Sequence, residues 1–184
     1  MMSQSESTKD KLFRAAVKIF SEKGFWKTKI SDIVKEAGVA QGTFYLYFKS
    51  KNDCFKHILL LLHNETLSIL NNKFLHGDNL DDILIAFIKR IYESKKISKV
   101  FLFEAISSGN EFQELYFSFK KNFKDFLYSY LEKRLEHKEQ VEIKSSILAG
   151  FLREIIEQDI LFENQDLNYL INKVKKAINI LNGD

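Results

Sequence analysis

Proline is absent from this chain, and only one cysteine (Cys54), one tryptophan (Trp26) and two methionines occur among its 184 residues. Proline breaks helix interiors, so its absence fits a mostly helical protein. A lone cysteine excludes an intrachain disulfide and fits a reducing cytoplasm. Long apolar runs are missing too. The longest, Ile83 to Ile88, spans six residues, whereas a membrane-crossing helix needs about 18 or more. The opening "MMSQSESTKD" has no apolar stretch of the kind a secretory leader carries. Charge of one sign is scarce overall, at a net +3, but it is unevenly placed. Residues 1–57 carry 11 Lys+Arg against 6 Asp+Glu, or +5, while residues 58–184 carry 17 against 19, or −2. A basic N-terminal end on a slightly acidic remainder points to a polyanionic partner for that end.

What the chain has in quantity is helical periodicity. Leu12, Phe13, Ala16, Val17 and Phe20 fall on one stripe of a first helix, Thr8 to Lys23, opened by the S-x-x-D of "STKD" and closed by Gly24. A short second helix, Ser31 to Ala37, stops at Gly38, and a third is expected from Gln41 to Phe48. The fourth begins at "SKND" and runs to about Phe74. Its "ILLLL", Ile58 to Leu62, is apolar on every side and is expected to be covered all round. Asn79 caps a fifth helix, with Asp81 and Asp82 in its first turn. A sixth is expected over Ile97 to Ser107. A seventh, Glu111 to about Leu135, follows a capping box at Asn110 and Gln113. The eighth, Val141 to Phe162, has one apolar face of Ile147, Phe151 and Ile155 and another of Leu148, Leu152 and Ile156, implying two separate contacts. The ninth, Leu167 to Leu181, repeats apolar residues almost as a heptad seam. The fold class is all-α with about nine helices.

The segment "AGVAQGTFYLYFKSKND", Ala37 to Asp53, is the densest in aromatics. Helix two, a turn at Gly38 and helix three make a helix-turn-helix. Phe44 and Phe48, four apart, share a face and complete a small core with Leu12, Ala16 and Phe20. Tyr45 and Tyr47 then point elsewhere, in the company of Gln41, Thr43, Lys49 and Lys51. Glutamine pairs with adenine in the major groove, whereas threonine, tyrosine and lysine donate to phosphate oxygens. This is the composition of a DNA-facing surface.

The string "KTKISDIVKEAGVAQGTFYLYFKSKND", together with "AAVKIFSEKGF" in helix one, resembles the N-terminal domain of the TetR/AcrR family of transcriptional regulators. The resemblance covers roughly Lys11 to Phe55 and rests on A-G-V, G-T-F-Y-x-Y-F and K-S-K in combination. It implies an all-helical homodimer. Residues 8–54 form a helix-turn-helix DNA-binding domain, residues 55–184 form a ligand-binding and dimerisation domain, and helices eight and nine build a four-helix interface. Carried over by position, Gln41, Gly42 and Tyr45 match base-facing sites, and Thr28, Thr43, Tyr47 and Lys51 match phosphate-contacting ones. Where the family commonly has a threonine after Thr28 this chain has Lys29, which is left out of the set.

The function expected is therefore a DNA-binding regulator, a repressor released from a palindromic operator by a small apolar or amphipathic inducer, with no cofactor or metal. Phe101, Glu104, Tyr116, Phe119, Phe123 and Phe151 are the candidate inducer residues, because aromatics are dense on helices six and seven and Glu104 offers a charge. One alternative is a DNA-binding dimer controlled by a protein partner or by abundance. Another, an enzyme, finds little support. The four histidines show no H-E-x-x-H spacing, and neither G-x-S-x-G nor a P-loop occurs. Cys54, in the first turn of helix four, fits packing better than redox sensing, as no second cysteine exists.

Overall fold

A computed structural model describes residues 7–182. Its elements are α1 (Thr8–Lys27), α2 (Ile30–Ala37), α3 (Gln41–Tyr45), α4 (Lys51–Leu75), α5 (Leu80–Glu93), α6 (Lys95–Phe103), a 3₁₀ turn (Ala105–Ser108), α7 (Asn110–Glu132), α8 (Lys138–Glu154), a π-helical segment (Ile155–Phe162) and α9 (Leu167–Asn182). No strand occurs among the described residues, so the all-α expectation holds.

The chain packs as two compact units. One comprises the described residues through Leu62 together with Lys96–Gln113; the other comprises His63–Lys95 and the described residues from Glu114 onward.

In the first unit, the Ser7 side chain accepts the Asp10 N–H at 3.2 Å, as the S-x-x-D pattern requires. Leu12, Ala16 and Phe20 bury the inner stripe of α1 against Ile33 and Val34 of α2 and Phe44 and Phe48. Gly38 ends α2 in the left-handed region (φ 68°, ψ 35°), which lets the chain turn directly into α3. Gly24 does not simply close α1. It holds φ 78°, ψ 173° inside it, kinking the helix before Phe25. Below the kink Phe25, Phe55 and Phe112 form an aromatic cluster, with ring centroids 5.2 to 5.8 Å apart. Phe112 enters this core from the start of α7. Helix α3 is shorter than the periodicity suggests and stops at Tyr45, leaving Leu46 78% exposed.

In the second unit, Asn79 caps α5 by accepting the Asp82 N–H at 2.8 Å. Helix α5 buries Ile83, Leu84, Phe87 and Ile88 and packs against α9, whose Leu170, Val174 and Ile178 are buried. Where an unbroken eighth helix was expected, α8 gives way at Ile155 to a π segment, in which backbone bonds reach one residue further. That widening places Asp159, 4% exposed, within 2.5 Å of the Lys173 ammonium of α9. Of the two expected faces, Leu148 and Leu152 are buried with Ile156 half-buried, while the other runs from Ile147, 49% exposed, through half-buried Phe151 to fully buried Ile155; Ile143, one turn before Ile147, is also 50% exposed. The "ILLLL" stretch is likewise not covered all round, since Leu61 is 46% exposed.

Candidate nucleic-acid interface

The structure separates the four aromatics of the helix-turn-helix as the spacing predicts. Phe44 and Phe48 are buried, with ring centroids 5.4 Å apart. Tyr45 and Tyr47 are 53% and 39% exposed. The Phe44 ring meets the Tyr45 ring edge-on at 5.6 Å, so the buried phenylalanine steadies the exposed tyrosine from beneath. Gln41 and Gly42 lie exposed in the first turn of α3, and Thr43 is half-buried. Thr43 N–H bonds the Ala40 carbonyl at 3.0 Å, fixing the start of the helix. One short helix thus presents an amide, a bare glycine backbone and a phenol on the surface opposite its core anchor.

The flanks of this surface are held by polar contacts. Lys23 reaches Asp32 at 2.9 Å and Lys18 reaches Glu36 at 2.6 Å, tying α1 to α2. Asp32 also accepts the Lys29 N–H at 3.1 Å. The Lys23 ammonium first, then this backbone donor, holds its carboxyl below the usual carboxylate range. At the entry to α4, Asp53 accepts the Lys49 N–H at 2.8 Å and Ser50 accepts the Asp53 N–H at 3.0 Å. The exposed cations Lys27, Lys29, Lys35 and Lys49 surround the helix-turn-helix.

Two of the expected phosphate-contacting residues sit differently from their neighbours. Thr28 is 2% exposed, and its hydroxyl donates to the Gly24 carbonyl at 2.6 Å. Lys51 is half-buried. Its ammonium donates to the Phe25 carbonyl at 2.8 Å and lies 4.5 Å over the Phe25 ring, and burial pulls its pKa down. Both therefore also serve the kink of α1, a role the sequence pattern does not announce. Cys54 is fully buried, and desolvation, with Asp53 adding to it, pushes the thiol up to about 12. A buried thiol held protonated in this way fits a packing role.

The six candidate inducer residues are divided between the two units. Phe101 and Glu104 belong to the first unit; Tyr116, Phe119, Phe123 and Phe151 belong to the second. Phe101 is buried, and Glu104 accepts the Phe25 N–H at 2.9 Å. In the second unit, Phe119 stacks on His63 at 3.9 Å and Phe123 on Phe87 at 4.3 Å. Tyr116 donates its hydroxyl to Glu157 at 3.0 Å, and Phe151 is half-buried. Asn122 donates to His63 Nε2 at 3.0 Å, and burial lowers the histidine pKa. A separate cavity of about 260 Å³ in this unit is lined by residues including Tyr130, Arg134, Lys144 and Leu148, and by none of the six.

Comparison with known proteins agrees with this surface. Residues 12–58 match the family described as bacterial regulatory proteins, tetR family, and residues 78–181 match the tetracyclin repressor-like C-terminal domain. An uncharacterized HTH-type transcriptional regulator of Bacillus subtilis, YvdT, is 49% identical over 78 residues; the match covers 42% of this chain and 40% of that relative. A transcriptional regulator (TerR/AcrR family) from Aquifex aeolicus VF5 superposes with a TM-score of 0.85 at 28% identity, covering 95% of this chain and 99% of that one. The regulator FadR from Bacillus subtilis, solved in complex with stearoyl-CoA, shares the fold at a TM-score of 0.71 and 20% identity, covering 93% and 96% of the two chains. These relatives are regulators, not enzymes. With a helix-turn-helix that buries its phenylalanines and exposes its tyrosines, and with both halves matched, the chain belongs to the TetR family of DNA-binding transcriptional regulators.

Proposed function

We propose that this regulator is a cytoplasmic repressor that binds a near-palindromic operator as a homodimer and is released by a small apolar or amphipathic molecule. In this reading residues 8–54 meet DNA and residues 55–184 carry dimerisation and the ligand response. The observation that carries the DNA role is the exposure of Gln41, Gly42 and Tyr45 on α3, and of Tyr47 in the turn that follows it, over the buried anchors Phe44 and Phe48. Gln41, Gly42 and Tyr45 meet base edges; Thr43, Tyr47 and Lys51 meet the phosphate backbone, whereas Thr28, expected there from the sequence, is buried with its hydroxyl on the Gly24 carbonyl and supports the surface from within. Dimerisation is supported by the uncovered face of α8, where Ile143 and Ile147 are half exposed and Gly150 opens onto free space, and by Tyr169 and Ile180 of α9, 45% and 74% exposed. Two-fold symmetry in the protein then requires two half-sites in the DNA.

The ligand class follows from the aromatic content of the second unit and from the fold shared with a regulator solved with an acyl thioester. The ligand must favour a DNA-incompetent arrangement, since equal binding to both shifts nothing. A preference of about 3 kcal/mol gives on the order of a hundredfold loss of DNA affinity. The test is a genome-wide footprint to define the operator, followed by acyl thioesters, fatty acids, aromatic acids and lipophilic cations scored for thermal stabilisation and for operator release. A compound that stabilises the protein and releases the operator is expected. If every stabilising compound leaves operator affinity unchanged, the ligand-released mechanism fails.

A further inference from the structure

We infer that Glu104 is a positioning residue for DNA binding, a carboxylate lock that fixes the kinked end of α1 to the segment 96–113. The kink leaves two successive peptide groups without partners in the regular helix ladder, and those among them that are removed from water require partners. Three side chains supply them: Thr28 from the next turn of the chain, Lys51 from 26 residues on and Glu104 from 79 residues on. In the Gly24–Phe25 peptide, the carbonyl accepts from Thr28 at 2.6 Å and the N–H donates to Glu104 Oε2 at 2.9 Å. In the Phe25–Trp26 peptide, the carbonyl accepts from the Lys51 ammonium at 2.8 Å and the N–H donates to the same Glu104 oxygen at 3.4 Å. An anion thus sits on the N–H side of the kink and a cation on its carbonyl side. Such charge-assisted bonds are stronger than neutral ones.

Gly24 is what admits the carboxylate. A Cβ there would lie 2.5 and 2.6 Å from the two Glu104 oxygens, and its φ of +78° disfavours any side chain in addition. Glu104 itself sits between α6 and the 3₁₀ turn, 79 residues from Phe25 in sequence. The partners of the lock are the two residues, Thr28 and Lys51, that flank the helix-turn-helix at either end. Any displacement of 96–113 therefore acts on both flanks through one carboxylate. With the lock closed the flanks are preorganised for DNA; with it open, they must be ordered on binding, and affinity falls.

This inference rests on the DNA-binding role proposed above. The full chain is compared as wild type, Glu104→Ala and Glu104→Gln, by amide exchange at Phe25 and Trp26 with and without operator duplex, by operator affinity and by thermal unfolding. In Glu104→Ala, exchange at the two amides rises at least tenfold, operator affinity falls about five- to twentyfold, and adding operator slows the two amides again. Glu104→Gln, whose amide oxygen still accepts both N–H groups, recovers most of both effects and serves also as the variant that folds if alanine does not. Trp26, the single tryptophan and 57% exposed, adds an optical readout at the lock. Faster exchange with unchanged operator affinity overturns the positioning role while sparing the DNA-binding reading. A wild-type chain that binds no duplex overturns both.

Discussion

The Thr28 hydroxyl donates to the Gly24 carbonyl at 2.6 Å from a site only 2% exposed. Replacing Thr28 with valine keeps the shape and removes the donor, so the Gly24 carbonyl loses its partner inside the protein. The expected cost is about 1–3 kcal/mol of stability, read as a lowered midpoint of denaturant unfolding. Thr28→Ser restores the bond and recovers most of the loss. A valine variant as stable as the wild type contradicts the structural role of this hydroxyl.

The division of labour on α3 gives a second prediction. Gln41→Ala relaxes sequence preference at one base pair in each half-site, at about 1–3 kcal/mol, with its fold intact because the side chain is exposed. Lys51→Ala weakens specific and random duplexes alike and lowers the salt slope by about one. Because Lys51 also bonds the Phe25 carbonyl, it lowers thermal stability, which Gln41→Ala does not. Selection of binding sites from randomised duplexes, together with salt titrations, separates the two. An unchanged base profile for Gln41→Ala refutes its assignment.

The uncovered face of α8 gives a third. Ile147, 49% exposed in the single chain, becomes an interface residue in the proposed dimer. Ile147→Glu introduces two like charges near a two-fold axis and leaves the chain monomeric at micromolar concentration by light scattering, with operator affinity down by an order of magnitude or more. A dimeric Ile147→Glu variant with full affinity places the interface elsewhere.

His63 sets a pH dependence. Its Nε2 accepts from Asn122 and its ring stacks on Phe119. Burial lowers its pKa below the ordinary 6.5. A histidine depressed in the folded state binds its proton more readily when unfolded. Its contribution to stability is therefore complete above about pH 6.5 and is lost as pH falls through that value toward the lower folded one. Unfolding midpoints between pH 7.5 and 5 should decline less steeply in His63→Phe than in the wild type. Parallel curves rule the effect out.

How much of this was legible in the sequence depended on the distance over which each interaction acts. The caps at Ser7 and Asn79 and the turn at Gly38 are local, and they are where the residue pattern puts them. The burial of Phe44 and Phe48 against the exposure of Tyr45 and Tyr47 is where a helical period puts it, although the helix itself ends at Tyr45 and the turn after it carries Tyr47 and Phe48. The π segment does not follow from that period, because a 3.6-residue template continues smoothly through Ile155 and Ile156 and gives no sign of longer bonds. The partners of Glu104 are equally out of reach of local reading. An acid among aromatics suggests a ligand site, but its partners are backbone groups 78 and 79 residues away, chosen by a glycine that only the folded chain brings to it.

The entry of Phe112 into the core of Phe25 and Phe55 has a consequence for how the protein is made. The helix-turn-helix and the first turns of α4 are synthesised well before residue 112. At about 5–20 residues per second, roughly three to ten seconds pass between the synthesis of Leu62 and that of Gln113. During that interval the aromatic floor of the DNA-binding unit lacks one wall. Closing it means joining chain segments far apart in sequence, the kind of contact that slows folding. The aromatic floor of the DNA-binding unit is therefore completed only after more than half of the chain has been translated.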